Sequence, residues 1–88
     1  MSVADRIHEK LTKTFAPASL EVIDESHLHA GHVGARPDGE THFRVRMTAS
    51  DFAGKSRVDR QRAVNAALAE ELAGPVHALA MEVKAEGE

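Results

Sequence analysis

The sequence predicts a small α+β domain in which two helices pack on one face of a three-stranded mixed sheet, in the order α-β-β-α-β. Two segments with helical periodicity, a capping sequence before each, and three short segments typical of strands predict this class. The 88 residues suffice for one domain with a small core. We therefore expect a single domain over residues 1–88, without an internal repeat or boundary.

The two predicted helices cover residues 2–14 and 57–73. Each begins with a serine followed three residues later by an aspartate, the pattern of a capping box, at Ser2 and at Ser56. In the first helix, apolar residues recur every four positions. The second helix has an amphipathic stripe: Val58, Val64, Ala67, Leu68 and Leu72.

Three strands are predicted over residues 20–23, 42–49 and 76–83. The middle strand alternates apolar with basic or polar residues, which indicates one buried face and one basic face. Residues 27–40 contain three Gly and one Pro, so we expect a long loop rich in His and Gly. The tail, residues 85–88, is expected to fray.

Charge is unevenly distributed along a chain whose formal net charge is −3. Residues 44–62 carry a net charge of +4, and the remainder carries −7. This basic segment is either an ordinary solvated face or a docking face for an anionic partner. With no apolar leader at its N-terminus and no membrane span, the chain is expected to be soluble and cytoplasmic.

Histidine is the residue type that best indicates function. The chain has six histidines and no cysteine, and His27, His29 and His32 lie within six residues. Imidazole binds transition metals, so these residues are candidate ligands; the alternative is a solvated loop with adventitious metal affinity. His77 is either a ligand near this loop or a partly buried histidine that bonds a neighbouring element. For His42, a hydrogen bond at the strand surface is favoured.

Other chemistries find little support in the sequence. Without cysteine, there is no disulfide, catalytic thiol or thiolate ligand. The residues Gly54-Lys55-Ser56 fail the phosphate-loop pattern, because the required preceding glycine is absent. No Ser/His/Asp spacing indicates a hydrolase, and the chain is not expected to be an enzyme.

A series of short motifs resembles the BolA family over about residues 3–83. The motifs occur in this order: Asp24-Glu25-Ser26, a loop with histidines, Glu40-Thr41-His42-Phe43, Phe52-x-Gly54-x-Ser56, Arg60-x-Arg62-x-Val64, Leu68-x-x-Glu71-Leu72 and Val76-His77-Ala78-Leu79. The resemblance implies a fold similar to the class II KH domain, with an extra helical turn near residues 50–56.

The same resemblance implies a non-enzymatic adaptor in iron–sulfur homeostasis. Members are described as partners of monothiol glutaredoxins that share a [2Fe-2S] cluster, with glutathione supplied on the partner side. Their motif places a cluster ligand at His77. A second ligand lies in the loop between the first two strands, where His29 is the nearest match and His32 the alternative. The loop is longer here than the family pattern.

Two alternatives remain from the sequence. The family has also been regarded as DNA-binding regulators, and a basic helix could present its side chains to phosphates. The candidate residues are Lys55, Arg57, Arg60 and Arg62. Only one glycine stands where KH domains have Gly-x-x-Gly, and the net negative charge further disfavours this role. The other alternative is a free-standing metal-binding protein that uses the loop histidines. A homodimer is also compatible with the sequence.

Overall fold

The computed structural model describes residues 2–25 and 41–88. Its elements follow the predicted order, except that the second helix is divided in two. They are α1 (Val3–Phe15), β1 (Ser19–Asp24), β2 (His42–Thr48), a 3₁₀ turn (Ser50–Phe52), α2 (Arg57–Ala67), α3 (Ala69–Ala73) and β3 (Ala78–Lys84). The α+β class is confirmed, and so is the extra helical turn.

The sheet has the strand order β1-β2-β3, with β2 in the centre. β1 pairs with β2 in the antiparallel sense, and β3 pairs with β2 in the parallel sense, so the sheet is mixed as predicted. In this register His42 lies opposite Ala78, and Thr48 lies opposite Lys84. The N-terminal ends of β2 and β3 therefore meet at one end of the sheet, together with the C-terminal end of β1.

The predicted capping sequences begin both long helices. In α1 the full capping box is present, because the Ser2 hydroxyl accepts from the Asp5 N–H and the Asp5 carboxylate accepts from the Ser2 N–H. At α2 the Ser56 hydroxyl accepts from the Asp59 N–H. These bonds satisfy backbone donors that the first turn of a helix leaves without intrahelical partners.

The prediction of one continuous helix over residues 57–73 is wrong. The helix is interrupted at buried Leu68, whose ψ of 21° departs from helical geometry, and α3 starts at the next residue.

The prediction that Val58 belongs to the apolar stripe of this helix is also wrong, since Val58 is 53% exposed. Six residues of helix turn through about 600°, so Val58 points about 120° away from buried Val64.

The core lies between the helices and one face of the sheet. Apolar side chains from α1, β2, the 3₁₀ turn and α2 meet there, so the helices cover the same face, as predicted. The largest buried apolar residues are Ile7, Leu11, Phe15, Phe43, Val45, Met47, Phe52, Val64 and Leu68. The rings of Phe15 and Phe52 lie 5.0 Å apart between centroids.

One carboxylate is buried between α1 and α3. The Glu71 side chain is fully buried, and it accepts hydrogen bonds from Arg6 at 3.0 Å and from Lys10 at 2.9 Å. Burial by itself raises the pKa of Glu71, but the hydrogen bonds from Lys10 and Arg6 outweigh burial and lower the pKa. The Glu71 carbonyl also accepts from Val76 N–H at 2.9 Å. Glu71 thus connects α1 to the turn that leads into β3.

The middle strand has one buried face and one basic face, as the alternation predicts, and glutamates of neighbouring segments pair with the basic residues. Arg46 of β2 lies between Glu82 at 2.6 Å and Glu21 at 3.4 Å. Its neighbour Arg44 bonds Glu25 at 3.0 Å. Because these glutamates lie in β1, directly after β1 and in β3, the pairing depends on strand register and is not visible in a local stretch of sequence.

The predicted fraying of residues 85–88 does not match the structure. Ala85 is only 4% exposed. Both carboxylate oxygens of Glu88 accept from the Arg60 guanidinium at 2.6 Å, and one of them also accepts from the Ala85 N–H. A bidentate, charge-assisted pair of this kind holds the tail against α2.

Candidate metal-binding site

His77 lies immediately before β3, at the end of the sheet where β2 also starts. Its backbone N–H donates to the Thr41 carbonyl at 2.7 Å, and the N–H of Ala78 donates to the same oxygen at 3.2 Å. The side chain of His77 is exposed. The backbone is therefore fixed while the imidazole remains accessible to a partner. This exposure excludes the alternative of a partly buried histidine.

His42 places a second imidazole beside His77. The two ring centroids are 6.3 Å apart, and the ring planes differ by only 18°. His42 Nδ1 is hydrogen-bonded to the Thr41 hydroxyl at 2.8 Å, as expected for a histidine bonded at the strand surface. Thr41 thus contacts both histidines, one through its carbonyl and one through its hydroxyl.

Both ends of the histidine-bearing segment meet next to His77. Glu25, the last described residue after β1, donates its N–H to the carbonyl of His42 at 2.8 Å. Thr41, the first described residue before β2, accepts from His77 N–H. The predicted ligands His29 and His32 lie outside the described residues, as do His27 and the rest of the predicted loop. Parallel pairing of β3 with β2 thus places His77 at the end of the sheet where Glu25 and Thr41, the described residues on either side of this segment, also lie.

The described residues do not form a complete metal site. Within residues 2–25 and 41–88, no group of three or more His, Cys, Asp or Glu side chains is arranged to hold a metal ion. The imidazole of His77 is nevertheless of the type that ligates iron in histidine-containing [2Fe-2S] centres. The donor chemistry fits a cluster whose other ligands come from outside this part of the chain.

The His42–His77 pair was missed by the sequence analysis. Nothing in the spacing of residues 42 and 77 indicates contact, because their proximity arises from the parallel register of β2 and β3. The only available signal was that both residues were expected to begin strands. Thr41, which contacts His42 through its hydroxyl and His77 through its backbone carbonyl, was not identified as a candidate residue either.

The four basic candidates for nucleic-acid binding have different surroundings. Arg60 is bound by Glu88, and its side chain is only 13% exposed. Arg62 is 77% exposed and lies 3.8 Å from Asp59. Lys55 and Arg57 are exposed, and neither forms an ion pair within the described ranges 2–25 and 41–88. The structure thus leaves three of the four side chains accessible.

Comparison with known proteins supports the fold and the family. The family model described as BolA-like protein matches residues 11–88. The BolA domain of SufE1 from Arabidopsis thaliana superposes with a TM-score of 0.88 at 44% identity, covering 98% of this chain and 94% of that one. BolA1 from the same plant superposes with a TM-score of 0.89 at 38% identity, covering 100% of this chain and 96% of that one.

Curated relatives agree with this result. An uncharacterized protein from the cobS 5′ region of a Sinorhizobium species is 52% identical, across 100% of this chain and 96% of its own length. SufE-like protein 1 of A. thaliana is 45% identical across 94% of this chain, which spans only 24% of that protein. The DNA-binding transcriptional regulator BolA of Escherichia coli is 42% identical, across 92% of this chain and 73% of its own length.

The structure is thus a small α+β domain that presents an exposed histidine at one end of its sheet. The chain belongs to the BolA family. In the described part of the chain, no helix is long and apolar enough to cross a membrane.

Proposed function

We propose that this protein is a non-enzymatic adaptor that binds a monothiol glutaredoxin and shares a [2Fe-2S] cluster with it. The observation that carries the proposal is the exposed imidazole of His77, with its backbone fixed by Thr41 beside both ends of the segment that bears His29 and His32. Because the chain has no cysteine, it offers imidazole ligands, and thiolates would come from the glutaredoxin and glutathione.

Each residue has a separate part in this proposal. His77 supplies one ligand, and His29 or His32 supplies the second. Thr41 fixes the backbone of His77 and binds the His42 ring. A bound cluster supplies redox chemistry and transferable iron and sulfide. Imidazole ligands must be neutral to bind, so the shared complex is expected to become less stable at acidic pH.

The test is reconstitution with a monothiol glutaredoxin, iron, sulfide and glutathione. We expect a visible circular dichroism spectrum that differs from that of the glutaredoxin alone and that His77→Ala abolishes. His29→Ala and His32→Ala identify the second ligand. His8→Ala is the matched control, because His8 is exposed on α1, away from the site. A spectrum that His77→Ala leaves unchanged would overturn the proposal.

A second candidate is DNA binding, favoured by the similarity to the DNA-binding transcriptional regulator BolA of E. coli and by the accessible Lys55, Arg57 and Arg62. A gel-shift titration at increasing salt tests this function. Sequence-specific binding that persists at moderate salt supports a role as a regulator. Sequence-independent binding that disappears at moderate salt indicates only electrostatic attraction to the phosphates.

A further inference from the structure

A basic groove runs between the start of α2 and the outer edge of β3. It has a volume of about 650 Å³, within the usual range for binding pockets. We define this β3-edge groove by its lining residues: Lys55, Arg57, Arg60, Gln61, Met81, Glu82, Val83, Lys84 and Glu88. Met81 is four residues beyond His77, about 13 Å along a strand, so the groove is separate from the histidine site.

The charge of the groove favours an anionic occupant. Glu88 is paired with Arg60, and Glu82 is paired with Arg46. Lys84 adds a further cation, whose charge acts on both Glu82 and Glu88. Lys55 and Arg57 then form no ion pair with a carboxylate among the described residues. The groove thus carries four cations and two carboxylates, although the chain as a whole has a net charge of −3.

The backbone of β3 also directs hydrogen-bonding groups into this groove. β3 is an edge strand, and its alternate residues bond β2, as shown by the bond from Ala49 N–H to the Lys84 carbonyl. The intervening residues Met81 and Val83 therefore direct their N–H and C=O groups away from β2. The contact from Arg60 Nη1 to the Val83 carbonyl, at 3.5 Å, lies on this outer side.

The lining of the groove favours a peptide over a nucleic acid as its ligand. Outward N–H and C=O groups pair with the backbone of an added strand, which is a common mode of peptide recognition. None of the lining residues is aromatic, so the groove has no surface on which a base can stack.

We propose that the β3-edge groove binds an extended acidic segment of a partner protein, which adds as a fourth strand beside β3. Its backbone pairs with Met81 and Val83, and its carboxylates meet Lys55, Arg57 and Lys84. The bond between Arg60 and Glu88 places one of the chain's own carboxylates in the groove, where it competes with the segment. This proposal is independent of the proposed cluster function.

Fluorescence anisotropy tests the proposal with the full chain and a labelled ten-residue peptide in which glutamate alternates with threonine. We expect saturable binding that is lost when alternate backbone nitrogens of the peptide are methylated, because this keeps the charge and removes the strand pairing. Arg57→Glu should weaken binding about tenfold. Arg62→Glu is the matched control on the same helix, since Arg62 does not line the groove and should change binding little.

Two further readouts make the result specific. Glu88→Gln should tighten binding about two- to fivefold, because it removes a competing surface ion pair. On binding, the amide protons of Met81 and Val83 should become protected from exchange. The proposal is overturned if the methylated peptide binds equally well, if no peptide binds, or if the groove binds only an oligonucleotide in a manner sensitive to Arg57→Glu.

Discussion

The two halves of β3 differ in the chemistry that they present. At its N-terminal end, the exposed imidazole of His77 lies beside His42, and Thr41 holds the backbone. In its C-terminal half, the strand directs backbone groups outward, and Lys55 and Arg57 at the start of α2 lie across the groove from it. A short edge strand can thus serve two ligands of unrelated chemistry, since metal ligation needs one accessible lone pair, whereas strand addition needs a row of donors and acceptors.

The largest predicted effect is a separation of the two sites by single substitutions. His77→Ala should abolish the shared-cluster spectrum and leave the affinity for the acidic peptide unchanged. Arg57→Glu should do the reverse, because Arg57 lies on α2 and lines only the groove. Both properties are measured on each variant, by circular dichroism and by anisotropy. Loss of both properties in a folded variant would show that the two sites are coupled.

Glu71→Ala should destabilise the packing of α1 against α3. The substitution leaves Arg6 and Lys10 without their buried partner, at a cost of about 2–3 kcal/mol once the partial exposure of both cations is considered. The bond from Val76 N–H to the backbone carbonyl at position 71 is retained in this variant, so the turn into His77 should keep its main-chain contact. Urea unfolding measures the change in free energy.

The control for this prediction is Glu70→Ala. Glu70 is the neighbouring carboxylate, but it is 82% exposed and lies 3.7 Å from Lys10. We expect a change below about 0.5 kcal/mol for this substitution. Equal effects at positions 70 and 71 would contradict the assigned importance of burial.

Thr41→Val should have a smaller effect, of about 1 kcal/mol, because it removes a buried hydroxyl while the Thr41 carbonyl still accepts from His77. The His42 ring should lose its fixed orientation, which nuclear magnetic resonance of its ring nitrogens detects. Thr48→Val, at the other end of β2, is the control and should leave those signals unchanged. An unchanged His42 signal in Thr41→Val would show that the hydroxyl does not orient the ring.

The smallest predicted effect is the response of the tail to acid. The hydrogen bonds from Arg60, followed by the Ala85 N–H, lower the pKa of Glu88 to about 2. Because this value lies below the usual value of about 4.3, the pair stabilises the fold above that pH and is lost as the pH falls through about 2. The carboxyl carbon shift of Glu88 reports this titration, and a midpoint near 4 would mean that the pair does not form in solution.

Local signals in the sequence predicted the elements well, and the errors have separate causes. Ser2 and Ser56 cap helices because capping involves residues only three apart. The exposure of Val58 follows from helix periodicity, which places it about 120° from Val64, whereas no local signal in the sequence marks the break at Leu68. The tail at Glu88 is held by Arg60, 28 residues away, and no composition rule for termini anticipates such a contact.

The candidate site could be predicted only in part. His77 was identified through a motif, and the structure places its side chain on the surface; its role as a ligand stays a prediction. The roles of Thr41 and His42 arise from strand register, which a single sequence does not specify. The choice between His29 and His32 falls outside the described residues and stays a prediction.

Pulsed electron paramagnetic resonance tests the central claim most directly. The chain is labelled with ¹⁵N-histidine and reconstituted with an unlabelled monothiol glutaredoxin, and the cluster is then reduced. We expect nitrogen hyperfine couplings whose pattern changes from that of ¹⁴N to that of ¹⁵N when the histidines are labelled. In His77→Ala, the signal of one coupled nitrogen should be absent. Couplings that do not respond to the label would show that this chain supplies no imidazole to the cluster, which would contradict the account.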